Sequence, residues 1–356
     1  MNIYPMIMAG GSGTRFWPKS RIQKPKQVQK IVSEDFTMIQ TAYQLLKDKV
    51  PNKNIHVVTN TIQAPEIKNQ LPELPPENII EEPCGRDTAP CVGLAAAILS
   101  VKDPEGIMLM MPSDHIIKPK ENFHLALQTA AKIVEEEKTL VTFGIPPTYP
   151  ATGYGYIEQG SKVNNDSELS VFDVIKFTEK PDHDTALKFL ETQQYFWNAG
   201  IFVWKAKYIL ELIEEFMPEL FAGLQTLIEN DFKNLNEVYP TLPKVSIDFG
   251  IMENAPKVKV VSVDYEWDDV GNWESIVNHF PKDDHNNLNL GTVIHQDSKN
   301  CIAIADNKDQ LIATIGLDDL IIVQSGNAVL VANRKDGQKI KNLVDELKAQ
   351  NLTDYL

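Results

Sequence analysis

The sequence predicts an α/β protein: a mostly parallel sheet flanked by helices, with a small β-rich unit behind it. Over the first 145 residues, short β-rich runs alternate with stretches of helical apolar spacing, the pattern that builds parallel sheets through right-handed crossovers. Beyond residue 290, β-branched runs recur at about ten-residue intervals, as in a compact all-β unit. A length of 356 residues suits two domains at roughly 100–200 residues each.

The elements follow in order. Strands are expected at Ile3–Ala9, Ile55–Thr59, Asn78–Glu81, Ile107–Met111 and Thr139–Phe143. Between them, Ile39, Ala42, Leu45 and Leu46 recur at helical spacing, as do Phe123, Leu127, Ala130, Ala131 and Val134. The segment TAPCVGLAAAILSV (88–101) is apolar almost all round, so it reads as a buried helix. A Gly/Tyr hairpin is expected at 152–158, strands at 171–178, 199–204 and 257–264, and helices near 182–193 and 205–217. The polar stretch NHFPKDDHNN (278–287) reads as a linker. It divides a catalytic unit, 1–280, from a C-terminal unit, 288–356. In the latter, Ile340, Leu343, Val344 and Leu347 mark a final helix. This tail is too small to bury both faces alone, so it is expected to dock on the main unit or, as a homodimer, on a second copy.

Composition excludes several classes. With 34 Lys+Arg against 49 Asp+Glu the net charge is −15, which argues against nucleic acid as a partner. No apolar run approaches the roughly 18 residues of a membrane span, and the N-terminus reads as a strand rather than a signal peptide. Cys84, Cys91 and Cys301 lack metal or redox spacing, so a reduced, cytoplasmic protein is expected. The charge is unevenly spread: residues 1–33 hold six basic groups and no acid, leaving the other 323 at −21. A cationic segment on an acidic chain is a candidate anion site.

That segment contains MAGGSGTRFWPKSRIQKPKQ (8–27), a glycine-rich loop directly after the first strand. Gly10, Gly11 and Gly13 let backbone N–H groups approach an anion. The dinucleotide pattern fails because its third glycine is Phe16, and no G-K-[ST] follows for a Walker A loop. Arg15 instead offers a planar fork to phosphate and Lys26 a mobile point charge. Further along, MPSDH delivers Asp114 after a buried strand, and WDDVGNW carries Asp268 and Asp269. Two distant carboxylates at strand ends suit Mg²⁺, which takes one or two carboxylates and completes its shell with phosphate oxygens and water. Each also reads as turn chemistry. Glu179 and Lys180 of FTEKP are adjacent on a strand end and so point to opposite faces.

The string GGSGTRFWP…KPKQ resembles the signature of sugar-1-phosphate nucleotidyltransferases, and among them the mannose-1-phosphate guanylyltransferases. The resemblance continues through EEPCGRDTAPC (81–91), MPSDH (111–115), TGYGYI (152–157), FTEKP (177–181), WNAGIF (197–202), SIDFGIMEN (246–254) and WDDVGNW (267–273). It implies a Rossmann-like catalytic domain with a β-helix-like tail, and transfer of GMP from GTP to mannose 1-phosphate by Mg²⁺-assisted in-line attack at the α-phosphate. By the same resemblance Gly10, Gly11, Gly13, Thr14, Arg15 and Lys26 hold the triphosphate, and Glu81, Pro83 and Arg86 line the base and ribose. Asp114 and Asp269 become the metal pair. Gly153, Gly155, Glu179, Asn198 and Gly200 form the sugar pocket, with Lys180 on the sugar phosphate. Asp87 departs from the family, which usually has Asn there, and a carboxylate cannot donate as an amide does, which puts that contact in doubt; Thr88 reads equally as a helix N-cap. The alternatives are a related enzyme using another base or hexose, and a non-catalytic GDP-mannose-binding subunit. The sequence lacks room for the isomerase domain of longer relatives, so no isomerase activity is expected.

Overall fold

A computed structural model describes residues 2–307 and 309–356. Its centre is a nine-stranded sheet. In chain order the strands are β1 (Ile3–Ala9), β2 (His56–Asn60), β3 (Ile79–Glu82), β4 (Ile107–Pro112), β6 (Leu140–Ile145), β7 (Tyr156–Val163), β8 (Val171–Thr178), β9 (Tyr195–Lys205) and β10 (Val258–Ser262), with the short β5 (Ile116–Lys118) outside the sheet. The spatial order is β3-β2-β1-β4-β9-β6-β10-β8-β7. Of the nine, β8 and β9 run against the rest, so the sheet is mixed but mostly parallel.

Alternation along the buried strands assigns side chains to two layers. Ile7, Leu109 and Met111 face one core with α1 (Met38–Gln44), α2 (Ala64–Gln70) and α4 (Lys120–Glu136), while Met6, Met108 and Met110 face the other. The second core takes α3 (Thr88–Lys102), α6 (Ala206–Phe216) and α7 (Pro218–Glu229); α5 (His183–Thr192) and α8 (Leu235–Val238) lie peripherally. The apolar α3 is buried on nearly every side, as its composition predicts. Gly93 makes this possible: a Cβ there would stand 2.7 Å from Leu224 Cδ1 on α7.

The C-terminal unit contains β12 (Leu288–Leu290), β13 (Thr292–Gln296), β14 (Ile302–Ala305), β15 (Leu311–Ile315), β16 (Leu320–Ser325), β17 (Ala328–Asn333) and α9 (Ile340–Ala349). Here β12, β14 and β16 pair in parallel and β13 pairs with β15, while β17 closes the unit antiparallel to β16. The ten-residue rhythm therefore reflects alternate strands stacked as rungs of a β-helix-like coil, not successive hairpins.

One local expectation changes. The 152–158 segment is not a hairpin: Thr152–Tyr154 form a loop that enters β7, which pairs with β8 and β9. The 278–287 stretch joins the two units, exposed over 281–286 and anchored at its end. The buried Asn287 side chain donates to Asp283 Oδ2 (3.0 Å) and the Ser298 carbonyl (3.1 Å) and accepts from Cys301 N–H (2.9 Å).

The C-terminal unit docks on the main unit of the same chain. Phe16, Trp17, Val270 and Trp273 share a core with Ile302, Ile321, Val323, Ile340 and Val344. Trp17 Nε1 donates to the Tyr355 carbonyl (2.7 Å) and Lys19 pairs with Asp306 (2.7 Å). No helix among the described residues is long and apolar enough to cross a membrane.

Candidate active site

The carboxyl ends of β1 and β4 open on a cleft of about 350 Å³ lined by Ser12, Gly13, Thr14, Arg15, Lys26, Asp114, His115, Asp269 and Lys341. Such strand ends are where open α/β sheets bind ligands. After β1 the glycine loop turns back on itself. Gly13 has φ +58° and a Cβ there would stand 2.5 Å from Lys26 Cβ, so glycine is required for this close return. Gln27 Nε2 fixes the loop by donating to the carbonyls of Ala9 (3.1 Å) and Gly11 (2.8 Å). Arg15 then stands exposed on the turn Thr14–Phe16.

Lys26 differs from the mobile charge expected. It is 5% exposed, and its ammonium donates to Asp114 Oδ2 (2.9 Å), the Asp269 carbonyl (3.0 Å) and the Val270 carbonyl. Burial of so polar a group requires these partners. Three other basic groups of the segment serve elsewhere: Lys19 and Arg21 tie the loop to Asp306 and Asn327, and Lys30 donates to the Glu34 carbonyl.

A two-stranded ribbon brings the carboxylates together. β11 (Glu266–Asp268) pairs antiparallel with β5, matching Asp268 with Ile116, so Asp269 leaves one strand where Asp114 and His115 enter the other. Burial acts to raise Asp114, but the Lys26 ammonium and His115 reverse it and hold the carboxyl below its ordinary range. Asp269 is raised, by burial first and then by Asp268 and Asp114, with His115 and Lys26 in partial opposition. His115 is lowered by burial, and Trp267 Nε1 donates to its Nδ1 (3.2 Å). Asp268 is occupied: Oδ1 accepts from Val270 N–H (2.7 Å) and Oδ2 faces His279 Nε2 (3.0 Å).

Among the described residues no set of three or more His, Cys, Asp or Glu side chains is disposed to hold a metal ion. Two carboxylates suffice for Mg²⁺ when phosphate oxygens and water complete its shell. Asp114 and Asp269 therefore fit a Mg²⁺ that arrives with a phosphate ligand better than a resident all-protein site.

Beyond Asp269 lies the second cluster. Asn198 N–H donates to the Gly155 carbonyl (2.8 Å), its Nδ2 donates to Asp248 Oδ1 (3.0 Å), and its Oδ1 accepts from Thr142 and from Gly200 N–H (both 3.1 Å). Glu179 crowds Gly155, where a Cβ would stand 2.5 Å from Oε2. Contrary to the strand argument, Lys180 Nζ pairs with Glu179 Oε1 (2.6 Å). β8 has ended at Thr178 and Lys180 turns to φ +45°, so alternation no longer applies. Tyr154 joins the clusters by donating to Asp269 Oδ1 (3.1 Å), and Gly200 lies beside His115. Gly153 stands in the open loop, with nothing near enough to touch an added Cβ.

The third group lies at the end of β3 and just beyond it. Glu81 pairs with Lys68 (2.6 Å), Pro83 is half-buried, and Arg86 keeps a buried Nε–H without a protein partner. None of these lines the cleft of Arg15. Asp87, not Thr88, is the N-cap of α3. It accepts from Thr88 N–H (2.8 Å) at φ 68° and ψ −171°, a sparsely populated backbone region. Thr88 Oγ1 instead accepts from Ile247 N–H (2.8 Å).

Residues 4–286 match the family described as nucleotidyl transferase, and 291–347 match the MannoseP isomerase/GMP-like β-helix domain. Two curated proteins named mannose-1-phosphate guanylyltransferase, from Escherichia coli and Klebsiella pneumoniae, are 36% and 35% identical over 99% of this chain and 75% of their own. The chain belongs to the mannose-1-phosphate guanylyltransferase family. This guanylyltransferase-family chain also resembles, at 32% identity and a TM-score of 0.86 over 98% of its length and 100% of the other, a crystal structure described as mannose-1-phosphate geranyltransferase from Thermus thermophilus.

Four polar residues of this guanylyltransferase-family chain escape a reading of its sequence as site groups: Tyr154, Asp248, Glu82 and Lys341. Asp248 lies within the quoted SIDFGIMEN motif, and burial with Glu179 nearby raises it to about 6. Glu82 accepts from Tyr239 Oη beneath Gly10, and burial pushes it up to about 7. For Tyr154 the signal lay in TGYGYI; for Lys341 there was none.

Proposed function

We propose that the protein transfers GMP from GTP to α-D-mannose 1-phosphate, releasing diphosphate and forming GDP-mannose. The observation that carries this reading is the linear layout of the three clusters along one sheet edge. Glu81 lies at the end of β3 with Pro83 and Arg86 just after it, the glycine loop with Arg15 follows β1, Asp114 follows β4, and Asn198 and Gly200 lie on β9. That order, β3, β1, β4, β9, accommodates base, triphosphate, reacting α-phosphate and sugar in succession.

A phosphate oxygen of mannose 1-phosphate attacks the α-phosphorus in line; the bond to the bridging oxygen breaks and diphosphate leaves. A phosphate monoester is already a dianionic nucleophile, so no general base is needed. The protein's work is alignment and charge stabilisation. Arg15 and the glycine-loop N–H groups hold the triphosphate, Lys180 the incoming phosphate, and Glu179 and Asn198 the sugar hydroxyls. Lys26 contributes from a fixed position between Asp114 and the 269–270 carbonyls. Asp114 and Asp269 would hold Mg²⁺, which when bound neutralises charge on the α-phosphate.

A homodimer through the C-terminal unit belongs to the same reading. Ile294, Leu311 and Ile315 are exposed on the paired β13 and β15, which supports a covered face there. Each charge-assisted contact is worth roughly 1.5–3 kcal/mol. Arg15→Ala should therefore raise KM for GTP about 10- to 150-fold with a smaller effect on mannose 1-phosphate, and Lys180→Ala should do the reverse. Steady-state kinetics on both variants test this, and unchanged constants would contradict the assignment.

A further inference from the structure

The cations around the cleft differ in what answers their charge. Lys26 is engaged by Asp114 and two carbonyls, and Lys339 pairs with Asp336 (2.7 Å). Arg15 and Lys341 have no carboxylate within ion-pair distance among the described residues, yet both line the same cleft as Ser12, Gly13 and Thr14. Lys341 comes from α9 of the C-terminal unit. Its place is set firmly, because its neighbours Ile340 and Val344 are buried against Phe16 and Trp17, the residues that follow Arg15. Trp17 is in turn held by the Tyr355 carbonyl. Two cations without a carboxylate partner on one opening leave positive charge there for an entering polyanion to meet.

We propose that Lys341 is a phosphate-binding residue of this site, taking the β- and γ-phosphates of the nucleoside triphosphate and the diphosphate that leaves. The C-terminal unit thus completes the nucleotide site rather than merely covering it. The triphosphate end is assigned because Lys341 shares the cleft with the glycine loop and not with Glu179, Lys180 or Asn198. The inference rests on the guanylyltransferase reading above.

The test is kinetic, on the full chain, in both directions, with Lys341→Ala and Lys341→Arg. The alanine variant should raise KM for GTP and, in reverse, for diphosphate by about tenfold. KM for mannose 1-phosphate and GDP-mannose should stay near the parent values, arginine should recover most of the loss, and the thermal midpoint should not move. Unchanged KM for GTP and diphosphate would overturn the proposal. So would a parallel rise for all four reactants with a lowered midpoint, which marks a structural role. Should the parent chain release no diphosphate from GTP and mannose 1-phosphate, it is the guanylyltransferase reading that fails. Equilibrium dialysis with inorganic diphosphate then still decides on Lys341: weaker binding by the alanine variant supports it, and equal binding overturns it.

Discussion

Arg15 and Lys26 sit eleven positions apart in one cationic segment, yet the fold gives them opposite circumstances. Lys26 is buried among three acceptors, whereas Arg15 is exposed in the cleft. Lys26→Ala leaves Asp114 and two carbonyls without their donor, so it should destabilise the fold by about 2–4 kcal/mol as well as abolish activity. Arg15→Ala should leave stability unchanged. Urea unfolding of the two variants checks this, and equal midpoints would contradict it. The role of Lys26 was only half legible: its spacing from the glycines showed in the sequence, but its acceptors lie at 114, 269 and 270, which no local pattern brings together.

Glu82 and Asp248 give the same scale a pH signature. Burial raises Glu82 from 4.5 to about 7 and Asp248 from 3.8 to about 6. In both, the folded state holds its proton more tightly than the unfolded chain. Their stabilising contribution is therefore complete below the unfolded values and is lost as pH rises toward the folded ones. Glu82→Gln carries no such charge, so its stability relative to the parent should improve between pH 5 and pH 7.5. Denaturant titrations at the two values measure this, and a constant difference would contradict it.

At the scale of elements, the site depends on the ribbon of β5 and β11 more than on any long strand. The Asp268 side chain latches it by accepting from Val270 N–H and facing His279. Asp268→Ala should loosen the turn that carries Asp269, lowering stability by about 1–3 kcal/mol and reducing Mg²⁺-dependent turnover, while KM for mannose 1-phosphate changes little. Calorimetry together with a Mg²⁺ titration tests this; unaltered Mg²⁺ dependence would contradict it. The long strands and the buried α3 were legible because their apolar runs have length and periodicity. The three-residue β5 and β11 were not, since each is defined by a partner about 150 positions away and is too short to show a period of its own. The helix α2 escaped notice because APEIKNQ offers a polar surface with few apolar positions to count.

At the scale of the whole molecule, one sheet edge sets out the three clusters in order, and a second unit closes over the glycine loop. The α/β class and the β-rich tail follow from patterns within short windows. The rung pairing of β12, β14 and β16 does not, because partners such as Ile302 and Ile321 are nineteen residues apart while neighbouring runs lie at half that distance. That α9 docks on Phe16 and Trp17 was likewise illegible: an amphipathic helix shows which face it buries but not against what. Lys341 entered the site by that route.

The most direct test of the account is diphosphate release from the purified full chain with GTP and mannose 1-phosphate, with and without Mg²⁺, beside UTP or dTTP with glucose 1-phosphate. The account predicts Mg²⁺-dependent release with GTP and mannose 1-phosphate and little with the other pairs. Release that favours UTP or dTTP with glucose 1-phosphate, or GDP-mannose binding without any diphosphate release, would contradict it.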